Sequence, residues 1–159
     1  MATVWGTADV VIAISPASLA DWVAAKAARQ STVIDISGLA SGPFSDLLIF
    51  GQSKTVAGTI GNQALLAIYA YGTTGGTTYP DAVTGTDGAI TTGDPINLPR
   101  IGIIRIPTAN TSFKAGPFSL RAGFAGTLPS KGGIVLVNMT NLALSATPGD
   151  HVFYYQATP

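Results

Sequence analysis

The sequence predicts an all-β domain folded as an antiparallel sandwich or barrel. About eight or more short runs rich in β-branched and aromatic residues recur along the chain, and clusters of Gly and Pro separate them. One of these runs alternates polar with apolar residues, and others are short continuous apolar runs, as buried strands are. With 159 residues the chain is expected to form one domain, residues 1–159, because this length can bury roughly 70% of the unfolded surface in a single core.

The predicted strands differ in how many apolar faces they carry. Thr32 to Ile36 alternates polar with apolar residues, whereas Leu47 to Phe50 and Ala64 to Tyr71 are apolar on both faces, as in the middle of a sandwich. In chain order the predicted strands are Val10 to Ile14, Thr32 to Ile36, Leu47 to Phe50, Ala64 to Tyr71, Arg100 to Ile106, Ser112 to Lys114, Phe118 to Arg121, Ile134 to Asn138, Leu142 to Leu144 and Val152 to Gln156.

One segment, residues 15–30, favours a short helix over a strand. It reads SPASLADWVAAKAARQ, with Ser15 as an N-cap and Pro16 at the first helical position. The apolar face of this helix would comprise Leu19, Trp22, Val23 and Ala27. We expect it to pack across the rim or an open edge of the sandwich. The alternative is an extended arm leading into the next strand, because Ala-rich runs of this length are only marginally helical alone.

The long segment from Thr73 to Pro99, residues 73–99, is rich in Gly, Thr and Asp and predicts a surface loop. Compact domains rarely keep so long a loop without a use for it, and we interpret it as a contact arm. Its carboxylates, Asp81, Asp87 and Asp94, are of the type that binds Ca²⁺. Their spacing matches no calcium loop, however, and Asp beside Gly is the common way to build turns, so structural turns are favoured and no metal is predicted.

The charge pattern excludes two classes of partner. Eight basic residues balance eight acidic ones, every acid is Asp, and no basic cluster exists that would favour nucleic acid or an anionic membrane. The apolar runs are too short to span a bilayer. Only 10% of the residues are charged, and a neutral, charge-poor surface promotes association, so we expect much of it to lie against other subunits.

Catalytic motifs are sparse, and no enzyme is predicted. The sequence has a single histidine, His151, and no Cys, so multi-histidine metal sites and thiol chemistry are excluded. No nucleophile elbow or phosphate-binding glycine motif occurs, and no cofactor is expected. The aromatic side chains offer a sugar-stacking platform as an alternative, although most lie within strands where packing explains them. Tyr79, in the long loop, is the one least easily assigned to the core.

Several segments together resemble a recurrent set of small tailed-phage virion proteins of the jelly-roll capsid cement, or decoration, type. They are VWGTADVVIAI, IYAYGTTGGTTYPDAVTGTDGAI, LPRIGIIRIPTANTSFKAGPFSL, FAGTLPSKGGIVLVNMTNLAL and HVFYYQATP. The resemblance implies a jelly-roll sandwich that is made in the host cytoplasm and forms homotrimers on the capsid surface. There it would bind the major capsid protein and stabilise the head. The family supplies no active-site residues.

Five residues are predicted interface candidates from their aromatic character or their place in the loop: Trp5, Trp22, Tyr79, Asp81 and Asp87. The alternative function is a carbohydrate-binding β-sandwich module of a phage tail or fibre. In that case Tyr79 would be the leading candidate for stacking on a sugar ring.

Overall fold

The computed structural model describes residues 9–37, 44–73, 76–94 and 96–159. The strands are β1 (Val10–Val11), β2 (Ala27–Gln30), β3 (Ile34–Asp35), β4 (Asp46–Ser53), β5 (Leu65–Thr73), β6 (Gly88–Thr91), β7 (Arg100–Arg105), β8 (Phe113–Ser119), β9 (Lys131–Met139) and β10 (Val152–Thr158). Two four-residue helices, α1 (Trp22–Ala25) and α2 (Leu120–Gly123), and a 3₁₀ turn (Pro148–Asp150) connect them. The predicted all-β antiparallel sandwich is confirmed.

The strands form two antiparallel sheets with jelly-roll connectivity. The four-stranded sheet has the order β1-β10-β4-β8, and the larger sheet has the order β6-β2-β9-β5-β7 with β3 also paired to β9. If the short strands β3 and β6 are set aside, the other eight strands pair as a nested series: β1 with β10, β2 with β9, β4 with β8 and β5 with β7. Successive pairs alternate between the two sheets, which is the arrangement of a jelly roll.

The main core lies between the two sheets. In β4 the alternation of apolar residues places Leu47 and Ile49 inward, and both are fully buried. Phe153 of β10 lies directly over Gly51 of β4, because a Cβ at Gly51 would lie 2.6 Å from the Phe153 ring. Packing of the main core therefore requires glycine at position 51 as well as large apolar side chains around it.

A second apolar layer covers the outer face of the six-stranded sheet. Tyr71 of β5 and Val135 of β9 are buried there under Val83 and Leu98, which belong to the connection between β5 and β7. Every residue of β9 from Gly132 to Asn138 is consequently buried. This layer explains why β5 and β9 are apolar on both faces.

The predicted helix over residues 15–30 is wrong in its extent. Only α1 is helical, and its N-cap is Asp21, whose carboxylate accepts a hydrogen bond from the backbone N–H of Val23 at 3.1 Å. Lys26 ends the helix with a left-handed φ of 51°. The residues that follow form β2, which pairs with both β6 and β9. Two sheet neighbours satisfy the backbone of this segment and bury Ala28, whereas an isolated Ala-rich helix is only marginally stable.

The described residues of the 73–99 segment include Tyr79, Val83 and Leu98, which pack on the larger sheet, but they are not an irregular loop throughout. They contain the edge strand β6, which pairs with β2 from Ala27 opposite Thr91 to Gln30 opposite Gly88. Elsewhere, the two strands predicted over 112–114 and 118–121 are one strand, β8, followed by α2. The strand predicted from Leu142 to Leu144 is reduced to a single bridge between Leu144 and Thr55. In the described part of the chain, no helix has the length and apolar character needed to cross a membrane.

Candidate interaction surface

The outer face of the four-stranded sheet carries a partly exposed pair of aromatic rings. Phe50 of β4 and Tyr154 of β10 are register partners, and their rings stack with centroids 5.0 Å apart and planes 9° from parallel. Both rings line a surface cavity of about 350 Å³. Besides these rings, its lining includes Gln52, Lys114, Gly116 and Val152, and we call this cavity the aromatic groove.

The groove lies where β4 and β8 lose their regular register. Ile49 pairs with Phe118 and Gly51 pairs with Ala115, so that β8 has one more residue than β4 in this interval. Gly116 lies within this bulge with φ of 127°, and a Cβ there would lie 2.7 Å from the carbonyl oxygen of Ile49. Glycine is therefore required at this position, and no side chain from it fills the groove.

The polar ends of three groove residues have no partner among the residues that the structure describes. The side chains of Gln52, Lys114 and Tyr154 make no hydrogen bond or ion pair with any residue that the structure describes. All eight aspartates, in contrast, accept hydrogen bonds or form ion pairs within the chain. Among the described residues, Lys114 is the one charged residue in the groove lining. The groove therefore presents an amide, a phenol and an ammonium group that are available to a ligand.

Valine side chains are exposed at the margin of the same sheet. Val10 and Val11 of β1 expose 40% and 72% of their surface, and we call this pair the apolar edge. In the described chain, β1 pairs only with β10. Val11 is the register partner of Tyr154, so the apolar edge adjoins the aromatic pair. Val11 therefore lies on the same outer face as the aromatic pair, whereas Val10, opposite Tyr155, points to the other face of the sheet.

Of the aromatic residues predicted from sequence, Trp22 and Tyr79 lie on the side of the larger sheet. The indole N–H of Trp22 donates to the hydroxyl of Thr92 at 2.7 Å, and Lys26 Nζ lies 3.8 Å from the centre of a Trp22 ring. Tyr79 packs edge-on against Tyr71 with ring centroids 5.2 Å apart. Trp5 lies outside the described residues. Trp22 and Tyr79 thus help to hold the second apolar layer.

The predicted loop carboxylates each hold a different part of this layer. Asp81 accepts from the backbone N–H groups of Gly93 at 2.8 Å and Asn97 at 3.2 Å. Asp87 accepts two hydrogen bonds from Arg29, at 2.7 and 2.8 Å, and this contact raises the pKa of the guanidinium. Within the described ranges, no three acidic or histidine side chains gather as a metal site. The structure does not bring Asp81 and Asp87 to the aromatic groove.

A serine and the single histidine meet in the interior, near the start of β10. The Ser53 hydroxyl donates to Nδ1 of His151 at 2.9 Å, and Nε2 donates to the carbonyl oxygen of Ser145 at the same distance. Asp150 accepts from the Ser145 hydroxyl, which holds the pKa of that carboxyl below its usual value. Both Ser53 and His151 are buried. The hydroxyl is therefore inaccessible to a substrate in this conformation, and the pair acts as a structural link.

Tyr154 was among the aromatic side chains considered from the sequence for a sugar-stacking platform, but Phe50 and the groove itself were missed, although one signal pointed to Phe50. Leu47 to Phe50 is apolar on both faces, and only one face of a strand in this sheet can point into the core. Comparison of the chain with protein-family models, with curated proteins and with solved structures finds no match.

Proposed function

We propose that this chain is a structural virion protein of a tailed bacteriophage. In this role it is a capsid cement, or decoration, protein that forms homotrimers, binds the major capsid protein and stabilises the head. The observation that carries the proposal is the apolar edge on a charge-poor jelly roll. The sequence resemblance to jelly-roll cement proteins supports the same role.

The apolar edge has the physical properties of an assembly contact. Fully burying a valine side chain contributes roughly 1.5 kcal/mol or more relative to leaving it in water, and the edge of a sheet also offers unpaired backbone N–H and C=O groups. A neighbouring subunit that covers Val10 and Val11 would bury their side chains and hydrogen-bond to the backbone groups at this edge. The few ionic groups of the chain add little desolvation cost to such a contact. Closed threefold assembly would repeat the contact without leaving an open end.

A second candidate function is a carbohydrate-binding module of a phage tail or fibre. The aromatic groove favours it, because a stacked Phe50–Tyr154 pair beside unpaired polar groups is suited to a ligand with apolar faces and hydroxyl groups. The two candidates differ in the number of copies per particle. A cement protein coats the shell, whereas a receptor-binding module occupies few positions.

The experiment that separates the candidates is quantitative mass spectrometry of gradient-purified virions from the source of this sequence. A ratio to the major capsid protein that approaches one supports the cement role. A few copies per particle, in multiples of a small symmetry number, would replace it with the tail or fibre role. Absence of the chain from virions would contradict both.

The apolar edge is tested separately with a matched pair of valines. We expect Val11→Ser to weaken oligomer formation and binding to capsids, measured by sedimentation velocity and by co-sedimentation with undecorated capsids. Val23→Ser is the control, because Val23 on α1 is also exposed, at 60%, but lies outside β1. Equal behaviour of the two variants would remove the apolar edge from the assembly contact.

A further inference from the structure

We propose that the aromatic groove binds a carboxylated saccharide, a pyranose unit that carries a carboxylate as in hexuronic or sialic acids. The inference concerns a site on the chain itself and goes beyond the cement role. It also deepens the second candidate function by naming the residues and the class of sugar. Binding is measurable on the isolated full chain, so the result is independent of copy number in the virion.

In this proposal the sugar ring of the ligand packs against the aromatic pair. The face of a pyranose presents C–H groups, which carry a partial positive charge and pack against the electron-rich face of an aromatic side chain. Phe50 and Tyr154 are held nearly parallel by their register and by their stacking, and both line the groove. Because the rings stack on each other, only the face that each ring turns away from the other can receive a sugar. The position of the rings on adjacent central strands orders them before a ligand arrives, which lowers the ordering cost of binding.

The carboxylate and the hydroxyl groups of the ligand bind to the polar groups around the rings. Of the described residues that line the groove, Lys114 is the sole charged one, and none of them carries a carboxylate. An ammonium group that has no partner in the described part of the chain is complementary to an anion, and a hydrogen bond between the two is stronger than one between neutral groups. The Gln52 amide donates and accepts, as does the Tyr154 phenol, which matches the mixed character of sugar hydroxyls. The charge therefore favours an acidic saccharide over a neutral one.

The dimensions of the groove limit the ligand to a small number of rings. Its volume of about 350 Å³ is near the lower end of small-molecule sites, which span roughly 300–1,000 Å³. An open groove of this size buries only part of a saccharide. We therefore expect weak binding by a single chain, with affinity for multivalent glycans increased when several copies are displayed together.

The test compares acidic and neutral probes on the full chain. Titration with sialyllactose and with digalacturonate, followed by NMR chemical shifts and calorimetry, should give saturable binding that perturbs the resonances of Phe50, Tyr154 and Lys114. Lactose should bind at least about threefold more weakly, because it lacks the charged partner.

Three variants assign the interaction to the groove. Lys114→Met keeps the aliphatic stem, removes the charge, and should abolish the preference for the acidic probes. Tyr154→Ala should weaken all binding about tenfold, the upper end of what one aromatic contact contributes. Lys131→Met, which removes a lysine of the other sheet, is the control and should bind as the unmodified chain does.

Two results would overturn the proposal. The first is the absence of saturable binding of either acidic probe to a chain whose thermal unfolding shows that it is folded. The second is binding that persists unchanged in both Lys114→Met and Tyr154→Ala. If Tyr154→Ala fails to fold, the test rests on Lys114→Met, because Lys114 is exposed. Loss of the preference for the acidic probes in this variant supports the proposal, and an unchanged preference overturns it.

Discussion

The phenol group of Tyr71 in β5 donates a 2.8 Å hydrogen bond to the backbone carbonyl of Ser31, just after β2. The strand between them is β9, and its residue Gly133 lies beneath the contact: a Cβ there would lie 2.5 Å from the phenol oxygen. This contact joins two strands that are not neighbours in the sheet, and it does so beneath the residues that cover the larger sheet.

Alkaline unfolding reports on the Tyr71 contact. Burial raises the pKa of Tyr71 to about 12, from the value of 10.0 expected in an unfolded chain. Its contribution to stability is complete below pH 10 and is lost as the pH rises toward 12, because the unfolded state ionises first. Tyr71→Phe should lose about 1 kcal/mol of unfolding free energy at neutral pH and decline less steeply above pH 10. Urea unfolding across this pH range is the measurement, and parallel curves for the two proteins would refute the assignment.

Gly133→Ala should be strongly destabilising for steric reasons. The added methyl group would lie 2.5 Å from the Tyr71 phenol oxygen and 2.6 Å from the Ser31 hydroxyl, and neither group can move without breaking its own contact. We expect a loss of about 1–3 kcal/mol in denaturant unfolding. Gly149→Ala is the control, because nothing lies within 4 Å of its Cβ, and its effect should stay within about 0.5 kcal/mol. Similar losses for the two would show that the crowding at Gly133 is relieved at little cost.

The contact between Asp87 and Arg29 should hold β6 and the adjacent connection onto β2. Asp87→Asn removes the charge from a two-bond pair whose side chains are each 25% exposed, and should reduce stability by roughly 1 kcal/mol. Amide hydrogen exchange in β6 should accelerate. Asp94→Asn provides the comparison, since its pair with Lys26 is more exposed and should contribute almost nothing. Unchanged exchange in β6 after Asp87→Asn would contradict this role.

His151 should matter for stability through its two buried hydrogen bonds. His151→Ala leaves the Ser53 hydroxyl and the Ser145 carbonyl without that partner, and also leaves a cavity, so we expect a loss of about 2–3 kcal/mol. His151→Gln retains an amide donor and acceptor and should lose less. Thermal and urea unfolding test both variants. If both variants are as stable as the unmodified chain in both assays, water can replace the contacts of His151.

Local pattern predicted much of the sandwich but not the strand β2. The strands β7 and β9 are rich in Ile or Val, and β10 in aromatic residues, so their local preference agrees with their place in the sheets. The Ala-rich residues of β2 prefer a helix locally, and their conformation is determined by pairing with β6 and β9 on either side. Such long-range pairing leaves no periodic signal in the segment itself.

The aromatic groove could be predicted less well than the fold. Tyr79, Asp81 and Asp87 are expected to lie at an interface because they occur in a long polar segment; the structure shows their contacts within the chain, and the interface role stays a prediction. Phe50 and Tyr154 are 104 positions apart and become neighbours only through the pairing of β4 with β10. The alternation of side chains along each strand was visible in the sequence. The sequence did not show which face of the sheet is left uncovered.

The amino-acid sequence by itself determined the all-β class, the positions of most strands and the charge-poor character of the surface, because these follow from composition and from periodicity within a few residues. The tertiary structure alone decided that Tyr79, Val83 and Leu98 cover one sheet while the outer face of the other carries the aromatic groove. The physical reason is that covering a face depends on contacts between segments far apart in the chain. Both sheets contain strands with two apolar faces, and only the packing of the connection between β5 and β7 distinguishes them.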